Sequence, residues 1–139
     1  MSRLFKRVSR SNPLRKVART TLRVMREDVV LAVHTHVTSS DQPPERQLWV
    51  AGRLGVHRWR CGLQNEGSTS LTEYSLTPWA RVGPVDVAII FPTPSTDLWH
   101  ATVSIEGIGL RHEAAGYDGK VPTSLAFARA CLRGGATRR

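Results

Sequence analysis

Between Val29 and Ala115 the apolar residues come in short alternating or continuous runs, each cut off by glycine, proline or a polar cluster. A short run of period two can bury one face only as a β-strand, so the middle of this chain is committed to sheet. Val29, Leu31, Val33, Thr35 and Val37 alternate with Val30, Ala32, His34, His36 and Thr38 in the first such run. Ser39-Ser40-Asp41-Gln42-Pro43-Pro44 then breaks the pattern, because two prolines cannot continue a ladder. Gln47–Leu54 and Val56–Leu63 read as two strands meeting near Gly55, with His57, Trp59, Cys61 and Leu63 on one face of the second. The polar turn Gln64–Ser68 precedes a weaker strand, Leu71–Leu76. Val85–Phe91, a continuous apolar run, has the pattern of a central strand. Leu98–Glu106 follows, with Trp99, Ala101, Val103 and Ile105 on one face, and Gly107 and Gly109 turn the chain into Leu110–Ala115.

Helical signals stand only at the two ends. Asn12 is a good N-cap and Pro13 a good first residue for a helix running to about Arg26. Beyond Gly116-Tyr117-Asp118-Gly119, Pro122–Leu132 predicts a second helix, stopped by Gly134-Gly135. The expected fold is therefore α+β: a mostly antiparallel sheet with an N-terminal amphipathic helix and a C-terminal helix. The expected division is a basic arm and helix over 1–26, followed by a single β-rich domain over 27–139.

The charge is divided along the same line. Arg3, Lys6, Arg7, Arg10, Arg15, Lys16, Arg19, Arg23 and Arg26 precede the first acid, Glu27, and this arm carries the whole formal charge of +9. The remaining Lys and Arg are balanced by the 11 Asp and Glu. A cationic arm on a neutral body suits a polyanion, either nucleic acid or an anionic membrane face, and these nine residues are the candidate binding set. On a helical wheel Leu14, Val17, Ala18, Leu22 and Met25 gather on one face and Arg15, Lys16, Arg19, Arg23 and Arg26 opposite. Leu14, Val17, Leu22 and Met25 would thus contact either a membrane or the core, leaving the arginines for phosphate or headgroups.

Other classes are disfavoured. No apolar run reaches the roughly 18–20 residues of a membrane span, and no secretory h-region is present. An acid-free, Arg- and Ser-rich start also fits a mitochondrial transit peptide, the minority alternative for localisation. Cys61 and Cys131 lie outside any C-x-x-C pair and are expected to stay reduced. His34-x-His36 places two imidazoles on one strand face, half of a metal site without a second pair, so neither metal nor cofactor is expected. His36-Val37-Thr38 and His100-Ala101-Thr102 resemble the paired H-x-T motifs of two-histidine phosphoesterases, whose histidines act as acid and base on phosphodiesters. Among 5 histidines in a Ser/Thr-rich chain such motifs arise by chance, and no P-loop, nucleophile elbow or dinucleotide fingerprint accompanies them. The chain is expected not to be an enzyme.

Two further resemblances bear on function. Leu98–Glu106, Leu110–Ala115, the loop with Lys120 and the last helix are similar to the strand–strand–helix end of a double-stranded-RNA-binding domain. Met1-Ser2-Arg3-Leu4-Phe5-Lys6-Arg7 and Thr102-Val103-Ser104-Ile105-Glu106-Gly107 resemble the start and a late strand of rhabdovirus-type matrix proteins. That resemblance implies a virion structural protein, found in host cytoplasm, with the membrane and the nucleus as further locations. Its arm would bind anionic membrane or ribonucleoprotein, and its neutral body would self-associate as a homo-oligomer. The alternative is a nucleic-acid-binding protein: a small capsid, an RNA-silencing suppressor or another RNA binder.

Overall fold

Each of the alternating runs forms a strand, and the strands divide into two antiparallel sheets. A computed structural model describes residues 14–38, 45–62, 71–94, 97–117 and 121–138. The chain divides into two units, Met1–Leu76 and Thr77–Arg139. Among the described residues there are two helices, α1 (Leu14–Val24) near the start and α2 (Thr123–Arg138) at the end, and the protein is α+β and mostly sheet. Arg3, Lys6, Arg7 and Arg10, the cap Asn12-Pro13 and the turn at 64–68 lie outside the described residues.

In the first unit the strands β1 (Val30–Thr38), β2 (Glu45–Gly52), β3 (Gly55–Gly62) and β4 (Thr72–Pro78) lie side by side in chain order. Short connections make consecutive strands antiparallel neighbours, with Val33 opposite Val50 and Leu48 opposite Trp59. A register shift between Val30 and Ala32 interrupts the strict alternation expected of β1. Val30 and Val33 both reach the same core because of it. Leu14, Ala18 and Leu22 of α1, spaced one turn apart, are buried against Val33, Leu48, Val50 and Trp59. Burying each leucine contributes about 2 kcal/mol. The Trp59 indole N–H donates to Thr21 Oγ1 (3.1 Å), and the Thr21 hydroxyl donates to the Val17 carbonyl (2.8 Å). His57, Trp59 and Cys61 share a face, as their alternation requires; Leu63 lies outside the described residues.

In the second unit the sheet order is β5 (Val85–Ile90), β6 (Leu98–Ile105), β7 (Leu110–Tyr117). A 3-10 turn, Trp79–Arg81, precedes β5. Ala101, Val103 and Ile105 of β6 are buried, and α2 packs on β5, β6 and the 3-10 turn through a face that includes Leu125, Phe127, Ala128 and Cys131. Burial raises the Cys131 thiol to about 12, which keeps it protonated. Gly107, at φ 90°, turns β6 into β7; a Cβ there would sit 2.7 Å from the Arg81 carbonyl oxygen.

Two expectations about this unit fail. The run Val85–Phe91 has a central strand's pattern, but β5 is an edge strand, with Val87, Ile89, Ile90 and Phe91 exposed. A continuous apolar run reports hydrophobicity, not the number of neighbours that cover it. The second helix does not stop at Gly134-Gly135 and continues to Arg138. Gly134 is held beneath Trp79, whose ring atoms would lie 2.7–3.0 Å from any Cβ, so close packing accounts for this glycine rather than termination.

Candidate nucleic-acid interface

Four of the N-terminal cations, Arg15, Lys16, Arg19 and Arg23, lie on a helix that the core fixes in orientation, and Arg26 lies just past its end. Leu14 (2% exposed), Ala18 (0%) and Leu22 (1%) form its buried seam. At 100° per residue, Arg15, Lys16, Arg19 and Arg23 centre roughly 115° round the helix from that seam, on one flank of it and not opposite as the wheel suggested, while Arg26 lies beyond the helix end. Lys16, Arg19, Arg23 and Arg26 are exposed and Arg15 is half-buried. None of these five makes an ion pair with another described residue. The other flank of the seam, roughly 130° round in the opposite sense, belongs to Val17, Thr20 and Val24; Val17 and Val24 are 40% and 74% exposed. Of the four apolar contact residues expected, then, Leu14 and Leu22 are core, Met25 is half-buried and Val17 faces solvent.

That outer side forms one wall of an open groove of about 550 Å³, lined by Lys16, Val17, Thr20, Thr21, Val24, Met25 and Tyr74. Both threonine hydroxyls donate to helix carbonyls four residues back, at 3.1 and 2.8 Å, which leaves the groove nearly without free polar groups.

A buried carboxylate ends the helix. Arg26 adopts the left-handed conformation (φ 55°), with its N–H donating to Arg23 O (3.1 Å) and the Glu27 N–H donating to Leu22 O (2.8 Å), a Schellman closure. This closure turns Glu27 inward. Its Oε1 accepts from the Arg53 amide (2.8 Å), and its Oε2 accepts from the Leu54 amide (2.9 Å) and from His57 Nε2 (3.2 Å). On the other side of the ring, Tyr74 Oη lies 2.9 Å from His57 Nδ1. An ionised carboxylate only accepts, so Nε2 carries the imidazole proton and the tyrosine O–H donates to Nδ1. The Glu27 and His57 side chains are fully buried. Burial alone would raise the Glu27 pKa, but the Leu54 and Arg53 amides and His57 outweigh it and leave it lowered. Burial also lowers the pKa of His57, despite the opposing pull of Glu27. Burial, with a smaller contribution from the charge on Glu27, raises the Tyr74 phenol. The acid–histidine–hydroxyl order resembles a nucleophilic triad, yet a phenol held protonated is not an activated nucleophile. The arrangement clamps the β2–β3 turn to the helix end.

Sequence reasoning missed this node. The available signal was an acid just past a helix C-terminus, where the macrodipole favours cations. The other histidines are placed differently. His34 and His36 stack beside Trp49 on the sheet face away from α1, with centroids 5.5 and 6.4 Å from its ring, and within the first unit they make only half of a tetrahedral ligand set. His36 and the exposed His100, the two H-x-T histidines, lie on β1 and β6 of different sheets. Among the described residues no helix is long and apolar enough to cross a membrane. No family model, curated protein or solved structure matches the chain.

Proposed function

We propose that this is a nucleic-acid-binding protein, whose first helix grips the phosphate backbone through Lys16, Arg19, Arg23 and Arg26. The observation that carries the reading is that these four cations are exposed, three on an acid-free helix and Arg26 just past its end, and that the apolar seam of this helix is already used by the core. A helix fixed in this way cannot roll to bury that seam in a bilayer, while its cations remain available to phosphates. Arg3, Lys6, Arg7 and Arg10 add to the same charge.

A second reading, the matrix-like one, has the same cations meet anionic lipid. It is favoured by the apolar groove of Val17, Val24 and Met25 beside Lys16, which suits an acyl chain below a negative headgroup. Replacing Lys16, Arg19 and Arg23 with glutamine separates the readings when RNA titration and flotation on phosphatidylserine vesicles are run together. Loss of RNA affinity without vesicle binding by the parent chain supports the nucleic-acid reading. Vesicle binding lost with Val24→Ser, with RNA binding absent throughout, supports the lipid reading and overturns the first.

A further inference from the structure

We infer that β5 is a homodimerisation edge, on which a second copy of this chain adds its own β5 antiparallel to make one continuous six-stranded sheet. β5 pairs only with β6, so among the described residues its outer row of backbone N–H and C=O groups has no strand partner. Proteins protect such edges with charge, proline, bulges or brevity. The other three sheet edges follow that rule: β4 carries Glu73, β7 carries exposed Arg111 and Glu113, and β1 is bulged at its start and runs through His34, Thr35, His36 and Thr38. β5 does not. Val87, Ile89, Ile90 and Phe91 are 43%, 45%, 64% and 59% exposed, and Asp86 is its only charge. A regular apolar edge of this kind is a template for another strand.

The pattern also selects the occupant and the register. Two identical strands related by a two-fold axis normal to the sheet keep their faces aligned only when the axis passes through a residue. An axis at Asp86 would set the two carboxylates face to face, which is destabilising. Within Val85–Ile90, axes at Val87 and at Ala88 pair five residues each. Extending the Val87 register brings in Pro84, which has no N–H to donate, whereas extending the Ala88 register brings in Phe91. The axis at Ala88 then sets Val85 opposite Phe91 of the second copy, Asp86 opposite Ile90 and Val87 opposite Ile89. Every pair is then apolar or sets the single acid against a neutral side chain. A self-complementary strand of this sort needs no second protein.

Light scattering over a dilution series, on the full chain, tests the interface with three variants. The parent should approach twice its 15.4 kDa mass as concentration rises. Ala88→Cys should form a dimer under mild oxidation well beyond the background from Cys61 and Cys131, because opposed strand residues meet the roughly 4.4–6.8 Å Cα separation of a disulfide. Ile90→Glu places two glutamates opposite the two Asp86 residues and should weaken dimerisation about tenfold, whereas Ile90→Lys, which is opposite in charge, should preserve it. Circular dichroism confirms that both position-90 variants are folded, as the exposure of Ile90 leads us to expect. A parent that stays monomeric throughout, an Ala88→Cys variant that crosslinks no better than the parent, or Ile90→Glu and Ile90→Lys variants that behave alike overturns the proposal.

Discussion

Replacing Glu27 tests how the helix is tied to the sheet, because three donors from the second hairpin converge on one carboxylate. In Glu27→Gln the amide nitrogen must face the Leu54 N–H, the Arg53 N–H or His57 Nε2, each of which now donates. A tautomer change can rescue His57 but not a backbone amide. One buried donor lost and the charge removed from the others should cost about 2–3 kcal/mol, and Glu27→Ala about 3–5 kcal/mol. Urea unfolding gives the loss, and hydrogen exchange at the Arg53 and Leu54 amides localises it. The pH dependence follows from the same node. The folded pKa of His57 lies below its ordinary 6.5, so between those values the unfolded chain binds more protons and stability falls on acidification. Glu27, lowered from its ordinary 4.5, extends the loss below that pH. Removing the carboxylate also removes the pull that holds the His57 pKa up, so Glu27→Gln should deepen the loss just below pH 6.5 and remove the part below pH 4.5. His36, lowered by burial, contributes with the same sign in both proteins. A glutamine variant with parental unfolding midpoint and parental protection of Arg53 and Leu54 would refute the clamp.

Gly134→Ala should destabilise by about 1–3 kcal/mol through overlap with Trp79, although alanine is the better helix former by about 1 kcal/mol; thermal unfolding reads the sign. Leu22→Ala should cost about 2–5 kcal/mol in urea unfolding, whereas Val24→Ala, two residues away and 74% exposed, should stay within about 0.5 kcal/mol.

Most elements were legible because their signals are local. The period of β1, β3 and β6 and the Gly107/Gly109 turn depend on neighbours in sequence, and the structure places them within a residue or two. What escaped depends on distant partners. Glu27 reads as the first acid after a cationic arm, and nothing nearby shows that its donors lie at Arg53, Leu54 and His57. Gly134 reads as a stop because the ring that needs its missing side chain belongs to Trp79. The wheel gave α1 one apolar face and one basic face, but a sheet accepts only the width of Leu14, Ala18 and Leu22. Val17 and Val24 are left outside, and Thr20 and Thr21 act there as apolar residues once their hydroxyls turn back on the helix.

The central claim is that exposed cations of α1 neutralise nucleic-acid phosphates. Its most direct test is the salt dependence of affinity for a single-stranded RNA, measured by fluorescence anisotropy for the parent and for the variant with Lys16, Arg19 and Arg23 changed to glutamine. Each phosphate contact contributes about 0.7 to the slope of log affinity against log salt, so the variant's slope should be shallower by about 2. Equal slopes, with equal affinities at low salt, would contradict the account.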